Sequence, residues 1–210
     1  MLIFCGKGAV VSIAQKIAEP VLLMLLFMLL SGSARATQYL SLMQAQSQLF
    51  PSATSFQVVA PIVSSADVQA INQASGLAGS LPTRTTWRAM KQGTALGWVV
   101  ADHVIGKHDY IDFAVAISPD GKIGGFEVLA YRETYGGQVR SPAWRSQFIG
   151  KQAQDQVLAG KDISVISGAT LSSAHLAQAI KRILTYWQLV LRTQGHGGSQ
   201  SGLDSSRSSA

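Results

Sequence analysis

The sequence predicts an α+β fold: an antiparallel twisted sheet flanked by helices, with one long helix at the C-terminal end. Three observations lead to this prediction. Helical patterns of apolar residues lie towards both ends of the chain. The strand patterns between them are joined by turn sequences, as in antiparallel hairpins. The strict alternation of strands and helices that a parallel, doubly wound sheet requires is missing from the sequence.

The N-terminal segment has the three parts of a secretory signal peptide. Lys7 and Lys16 precede an apolar run of ten residues, 21–30, and Ala34-Arg35-Ala36 supplies a small-x-small cleavage pattern. A transmembrane helix needs about 20 apolar residues, so this run is too short for one. We therefore predict a signal peptide and a periplasmic or otherwise extracytoplasmic protein. The alternative is an uncleaved segment that tethers the protein to the inner membrane.

Composition excludes several classes of function. The single cysteine, Cys5, lies inside the predicted signal peptide. The rest of the chain therefore has no thiol nucleophile, disulfide, iron–sulfur ligand or haem-attachment motif. The net charge of +6 falls to +4 without residues 1–36, and the basic residues are scattered. No basic run or stripe favours nucleic-acid binding, so we predict no nucleic-acid partner.

The first helix is predicted over residues 39–50. Leu42, Ala45 and Leu49 recur at helical spacing, and Pro51 then ends the pattern. The elements predicted after it are a strand, a short helix and a second strand, over residues 54–63, 68–78 and 95–104.

Residues 111–131 are predicted to form a hairpin. Residues 111–117 alternate large apolar side chains with small or polar ones, which is typical of a half-buried strand. Ser118–Lys122 is a turn sequence, because Pro fixes φ and Asp-Gly accepts a left-handed backbone. Residues 123–131 return as the partner strand.

The last helix is predicted over residues 172–192, with one apolar face. A short helical turn at residues 144–148 and an extended segment at residues 163–166 precede it. The members of the apolar face are Leu176, Ile180, Ile183, Leu184, Trp187 and Leu191.

Ser167-Gly168-Ala169-Thr170 is the segment most suggestive of chemistry. It places a hydroxyl group and a glycine turn at the start of the long helix, where backbone N–H groups and the helix dipole favour a phosphate. Taken alone, the same four residues also fit an ordinary turn and helix cap.

The sequence Ser-Gly-Ala-Thr-x-Ser-Ser at residues 167–173 resembles the flavin-attachment motif of the FMN-binding domain family. That family includes periplasmic subunits of sodium-pumping NADH:quinone oxidoreductase and of Rnf-type complexes, besides small stand-alone exported proteins. The resemblance covers roughly residues 90–190. It includes Arg132–Gly137, at the place where the family has a Glu-Thr/Ser plus Gly motif.

The resemblance implies that FMN is esterified through its phosphate to Thr170. An extracytoplasmic, Mg²⁺-dependent flavin transferase would form this bond with FAD as the donor. The resemblance implies no catalytic residue and no metal ligand within the chain. Besides Thr170, it assigns to the cofactor Ser167, Gly168, Ala169, Glu133, Thr134, Gly136, Gly137 and Trp144.

Several of these residues also have an ordinary structural interpretation. Glu133 fits a solvated charge, and Gly136-Gly137 fits a simple turn. Trp144, and Tyr135 as a second candidate for stacking on the flavin ring, also fit a role in the core. His103 and His108 are candidate haem or metal ligands, but neither has a second ligand at a recognisable spacing.

The chain departs from the family pattern at two positions. The family usually has Asp six residues before the acceptor Thr, whereas this chain has Ser164 there and Asp162 nearby. The larger complexes usually have Glu-Thr-Pro-Gly in the middle motif, whereas this chain has Tyr135 in place of Pro. The second departure points to the stand-alone branch of the family.

These observations predict an electron carrier rather than a stand-alone enzyme. FMN bound at Thr170 would pass electrons between a membrane oxidoreductase and an extracytoplasmic acceptor. The alternative is a non-flavinylated binding or regulatory module, or an accessory subunit of a membrane redox complex. The regions predicted are a signal peptide, an N-terminal helix-and-strand region, an FMN-binding domain and a disordered tail, over residues 1–36, 37–89, 90–192 and 193–210.

Overall fold

The computed structural model describes residues 37–77 and 85–194. The predicted signal peptide and most of the predicted tail lie outside these residues. The strands are β1 Thr37–Gln38, β2 Ser55–Val59, β3 Thr85–Lys91, β4 Thr94–Ile105, β5 Tyr110–Ile117 and β6 Ile123–Tyr131. The α-helices are α1 Leu42–Leu49, α2 Ser65–Ser75, α3 Pro142–Arg145, α4 Thr170–Tyr186 and α5 Arg192–Gln194. Short 3₁₀ segments cover Gly137–Arg140 and Ser146–Phe148, and a π-helical turn covers Trp187–Leu191.

Within the described residues, the strands form one six-stranded sheet in the order β1-β6-β5-β4-β3-β2. Every neighbouring pair is antiparallel. The β3-β4-β5-β6 part is a meander of consecutive strands, whereas β1 and β2 lie at opposite edges. The predicted α+β class, with an antiparallel sheet and a long C-terminal helix, is confirmed.

Helices cover both faces of this sheet. On one face, α4 packs against β4 and against α2, and the main apolar core lies there. On the other face, α1 packs over β5 and β6 and forms a smaller cluster around Ala45, Val99 and Ala114. Because both faces are covered, every residue of 111–117 except Asp112 is buried. The prediction of a half-buried strand there was therefore wrong about its second face.

The apolar face predicted for the last helix is confirmed, since all six of its residues are buried. The helix begins at Thr170, two residues earlier than predicted, and the π-helical turn at Trp187–Leu191 interrupts its end. The described residues contain no helix with both the length and the hydropathy to cross a bilayer.

Residues 163–166, predicted as an extended segment, form no regular strand, and Ile163 makes an isolated bridge with Ala159. β3 has no counterpart in the prediction, because buried polar Thr86 and half-buried Arg88 obscure its alternation. The predicted regional boundary at residues 89/90 falls inside β3.

A buried ion pair joins the sheet to the long helix. Arg182 Nη2 lies 3.0 Å from Asp102 Oδ2, and the two side chains are 8% and 0% exposed. Asp102 Oδ1 also accepts the backbone N–H of His103 at 2.9 Å. Because a buried charge without its partner is strongly unfavourable, this pair fixes α4 against β4.

Replacing one member of this pair is therefore expected to destabilise the fold. Arg182→Met leaves the Asp102 carboxylate buried beside a neutral side chain, which should cost about 3–5 kcal/mol in the free energy of unfolding. Urea denaturation measures this change. Asp112→Asn, in the half-exposed pair with Arg132, is the control and should change stability much less. An equal decrease in the free energy of unfolding in the two variants would contradict the special role of the buried pair.

Candidate functional site

Three chain segments meet around a pocket of about 420 Å³ at the start of α4. They are the β4–β5 connection, the segment after β6, and the turn that leads into α4. This volume lies within the range of about 300–1,000 Å³ that is typical of small-molecule sites. The pocket is lined by Lys107, His108, Glu133, Thr134, Tyr135, Gly168, Ala169, Thr170, Leu171 and Ser172.

The turn before α4 is held by hydrogen bonds to the helix that follows. The N–H of Ala169 donates to the Ile166 carbonyl at 3.0 Å. Ser173 Oγ accepts the N–H of Ile166 at 3.1 Å and donates to the Ala169 carbonyl at 3.0 Å. Gly168 supplies the left-handed conformation in this turn, with φ of +79°. Thr170 is thus an exposed residue on a rigid support.

The N-terminus of α4 is open to an anionic group. Ala169 is its N-cap residue, and no side chain caps the helix. The first turn contains no acidic residue. Its backbone N–H groups therefore lack side-chain acceptors at the place where the helix dipole favours negative charge.

The segment after β6 packs directly against this turn. The Tyr131 hydroxyl donates to the Tyr135 carbonyl and lies 3.5 Å from Ser172 Oγ. Burial raises the pKa of Tyr131, so this hydroxyl stays protonated and acts as a donor. Gly136 has φ of +89°, and a Cβ there would collide with the Ala169 Cβ. Only glycine allows this approach of the two backbones.

The Glu133 carboxylate is bound to backbone groups. Its Oε1 accepts the N–H of His108 at 2.5 Å and the N–H of Asp109 at 3.0 Å. Burial alone would raise the pKa of Glu133, but hydrogen bonds from Asp109, His108 and Lys107 N–H groups outweigh it and lower the pKa below its usual value. Glu133 is therefore an ionised acceptor that orders the β4–β5 connection.

The pocket also has an exposed apolar part. The Tyr135 side chain is 74% exposed and that of Leu171 is 47% exposed, although both line the pocket. The backbone of Tyr135 is held by the Tyr131 hydroxyl. An exposed aromatic ring on a pocket wall is suited to contact a planar ligand.

The structure brings together five of the residues that the resemblance assigned to the cofactor: Glu133, Thr134, Gly168, Ala169 and Thr170. Gly136 lies behind the pocket wall, against Ala169. Ser167 and Gly137 are exposed and are not among the lining residues.

Trp144 lies away from the pocket lining, in the aromatic part of the core. Its ring centroid is 5.1 Å from that of Phe148 and 6.3 Å from that of Phe126. Its Nε1–H donates to the Ser164 carbonyl at 2.8 Å. This indole therefore supports the segment before the turn that leads into α4, and Tyr135 lines the pocket.

Asp162 is occupied by structural contacts. Its carboxylate lies 2.8 Å from Lys151 Nζ and accepts the N–H groups of Leu158 and Val157 at 2.7 and 3.1 Å. Burial would raise the pKa of Asp162, but these hydrogen bonds outweigh it and lower the pKa. Ser164 is exposed, and its N–H donates to Gln147 Oε1 at 2.8 Å.

Sequence reasoning missed Lys107, Leu171 and Ser172 as site residues, and it suggested His108 only as a metal ligand. Lys107 and His108 reach the site through the hairpin that joins β4 to β5, and no local pattern reveals that placement. Leu171 and Ser172 could have been found, because they follow Thr170 in the first turn of α4. The described residues contain no cluster of three or more His, Cys, Asp or Glu that could hold a metal ion.

Comparison with known families adds to this geometry. Residues 106–185 match the FMN-binding domain family. The similarity to this family lies in that segment, which is 80 of the 210 residues. The matched segment contains all ten lining residues of the pocket, so the family and the geometry indicate the same part of the chain.

The similar proteins are components of redox complexes. A subunit of the ion-translocating oxidoreductase complex of Methanosarcina acetivorans is 31% identical over 99 residues, which are 45% of this chain and 53% of the relative. A subunit of the Na(+)-translocating ferredoxin:NAD(+) oxidoreductase complex of Acetobacterium woodii is 24% identical over 154 residues, 69% and 72% of the two chains. The chain spans about half the length of the first of these relatives.

Among solved structures, the crystal structure of Shewanella oneidensis NqrC is similar, with 21% sequence identity and a TM-score of 0.43. The similarity covers 67% of this chain and 80% of NqrC.

The contact between Gly136 and Ala169 gives the first test of the site. Gly136→Ala adds a methyl group that collides with the Ala169 Cβ, at a positive φ, so the two backbones must separate. We expect a stability loss of about 1–3 kcal/mol, measured by urea denaturation. Gly150→Ala is the matched control, because Gly150 also has a positive φ, +80°, but a Cβ there meets nothing within 4 Å. A control that loses as much stability would argue against the contact.

Proposed function

We propose that this protein is an exported electron carrier that holds FMN covalently on Thr170. The hydroxyl group of Thr170 would be esterified to the flavin phosphate, and the flavin ring would occupy the adjoining pocket. The observation that carries this proposal is the position of Thr170: exposed, at the uncapped start of α4, and part of a pocket within the FMN-binding domain.

The residues of the site fit a phosphorylated flavin. The open N–H groups of the first turn of α4 can donate to the phosphate oxygens. A Cβ at Gly168 would meet nothing within 4 Å, which leaves space beside the turn for a bulky group. Tyr135 and Leu171 offer exposed apolar surface for the isoalloxazine ring, while Lys107 offers a positive charge.

A secondary hydroxyl is a weak nucleophile, so attachment requires an enzyme that activates it. We propose an extracytoplasmic flavin transferase that uses FAD and Mg²⁺. The Thr170 Oγ1 forms a bond to the phosphorus of the FMN half of FAD, and the pyrophosphate P–O bond breaks. AMP leaves, and the hydroxyl proton is released. No catalytic residue within this chain is then needed.

Bound FMN supplies one- and two-electron chemistry, which the protein would adjust through its surroundings. The relatives named above are subunits of membrane redox complexes. We therefore propose a membrane oxidoreductase as the electron donor and an extracytoplasmic acceptor. The predicted signal peptide, and Tyr135 where the larger complexes usually have proline, favour a stand-alone carrier on that side of the membrane.

One observation favours a second candidate, a binding or regulatory module without flavin. Ser164 stands where the family usually has aspartate, and the nearby Asp162 is engaged by Lys151 and two backbone N–H groups. If the transferase requires a free carboxylate before the attachment turn, this chain does not present one there.

Thr170→Ala is expected to abolish covalent flavin. The protein is co-expressed in the periplasm with a flavin transferase, denatured, and examined by in-gel flavin fluorescence. The wild-type band should fluoresce only with the transferase, and the variant band should be dark while its thermal unfolding is unchanged. Thr94→Ala removes an exposed threonine hydroxyl at the start of β4, outside the motif, and should keep the fluorescence.

A fluorescent Thr170→Ala band would overturn the attachment site. A dark wild-type band in the presence of an active transferase would instead favour the module without flavin.

Tyr135→Leu tests whether the exposed ring contacts the flavin. An aromatic ring against isoalloxazine quenches its fluorescence, so the native, flavinylated variant should fluoresce more strongly per bound flavin than wild type. Tyr110→Leu is the matched control, because Tyr110 is 53% exposed but does not line the pocket. If both variants fluoresce like wild type, Tyr135 does not contact the ring.

A further inference from the structure

One wall of the pocket is built by Gly106–Asp109, the four residues that connect β4 to β5. Lys107 and His108 from this connection line the pocket. Within the connection, the N–H of Gly106 donates to the Asp109 carbonyl at 2.7 Å, which closes a tight turn. Such a short turn has few contacts of its own, so other elements must fix its position.

Glu133 holds the turn from the sheet side. Its Oε1 accepts the N–H groups of His108 and Asp109 at 2.5 and 3.0 Å. The carboxylate also lies against Gly106, where a Cβ would be 2.5 Å from Oε1. A single ionised oxygen therefore organises the backbone of the whole connection, through hydrogen bonds that its charge strengthens.

His175 holds the same turn from the helix side. Its Nδ1 lies 2.8 Å from the Ile105 carbonyl and 3.0 Å from the Gly106 carbonyl. Carbonyl oxygens only accept, so Nδ1 carries the proton and donates.

The contacts of His175 connect the wall to the helix that carries Thr170, the residue that the proposed function assigns to flavin attachment. His175 and Thr170 lie on the same helix, five residues apart, which is about 7.5 Å along its axis. The helix that carries the attachment hydroxyl therefore also carries the donor that fixes the opposing connection. The wall and the attachment point are parts of one rigid arrangement.

We propose that Glu133 and His175 are positioning residues that hold the Gly106–Asp109 wall, and with it Lys107 and His108, in place for the cofactor. The purpose of the wall rests on the proposed function. In this arrangement Glu133 acts through the backbone of the wall, and the cofactor contacts of the wall come from Lys107 and His108. An ammonium and an imidazole group there complement a phosphorylated ligand.

The first experiment needs no flavin. Amide hydrogen exchange is measured by mass spectrometry on the flavin-free protein, in peptides that cover residues 106–110. His175→Ala should raise exchange in the wall by about tenfold, as expected for the loss of one hydrogen-bonded tie. His175→Asn should restore slow exchange, because the asparagine amide can donate from nearly the position of Nδ1. Lys91→Ala removes an exposed side chain at the end of β3, which is not part of the wall, and should leave the wall unchanged.

The second experiment uses the flavinylated protein. Acrylamide, a neutral quencher, reports how openly the bound flavin is exposed to solvent. His175→Ala should increase the quenching constant, and His175→Asn should return it towards the wild-type value, at equal flavin content. Glu133→Gln, which keeps an acceptor oxygen but loses its charge, should give an intermediate value.

The outcomes separate the two proposals. Unchanged exchange in His175→Ala would overturn the positioning role, whatever the flavin does. Faster exchange in the wall with unchanged quenching would also overturn it, because the wall would then not bear on the cofactor. Failure of the wild-type protein to take up flavin would count against the proposed function, while the exchange measurement would still test the tie itself.

Discussion

The site depends on the close approach of Gly136 to Ala169. These two residues bring the segment after β6 against the turn that begins α4, and no side chain larger than hydrogen fits at residue 136 without displacing the turn. The Tyr131 hydroxyl, bonded to the Tyr135 carbonyl and near Ser172, holds the same contact from the end of the strand. A shift of the segment after β6 would move Tyr135 relative to the start of α4. The close packing of the two backbones resists such a shift.

The rigidity of the site comes from the burial of α4. Its apolar face fills the main core, and its Arg182 pairs with Asp102 of β4. Burial of this face, rather than a cap, stabilises the helix, because its N-cap residue makes no side-chain hydrogen bond. The N-terminal N–H groups can therefore remain open to a ligand without loss of the helix. A conventional Ser or Asp cap would stabilise this end of the helix but would occupy the donors that an anion could use.

The parts of the fold set by local periodicity could be predicted from sequence, and the parts set by long-range contacts could not. The spacing of apolar residues indicated the last helix and its buried face, and Asp120-Gly121 indicated the hairpin turn. β3 was not predicted because Thr86 and Arg88 place polar side chains on a strand that is largely covered. The burial of these residues depends on the elements that pack against the strand, and the local sequence does not show them. At the site, the small residues before α4 drew attention to Thr170, which lines the pocket in the structure, but the role of Glu133 did not follow. Its acceptor role depends on backbone N–H groups 24 and 25 residues away, which no pattern around Glu133 encodes.

Covalent attachment at Thr170 would change what the pocket has to do. A flavin held only by contacts must be enclosed well enough to resist dissociation into the surrounding volume, and those contacts must offset several kcal/mol of lost freedom at every binding event. A flavin tied through its phosphate to α4 meets the pocket at a high effective concentration, so modest contacts suffice to orient the ring. The pocket has three features that would suit a tethered flavin. They are an exposed hydroxyl on a rigid helix, an ordered wall at Gly106–Asp109, and Tyr135 on an open side. In a carrier of the proposed kind, an open side would also let electrons pass to a partner while the flavin stays bound. The same exposure that would weaken a dissociable flavoprotein is therefore an advantage in a tethered one.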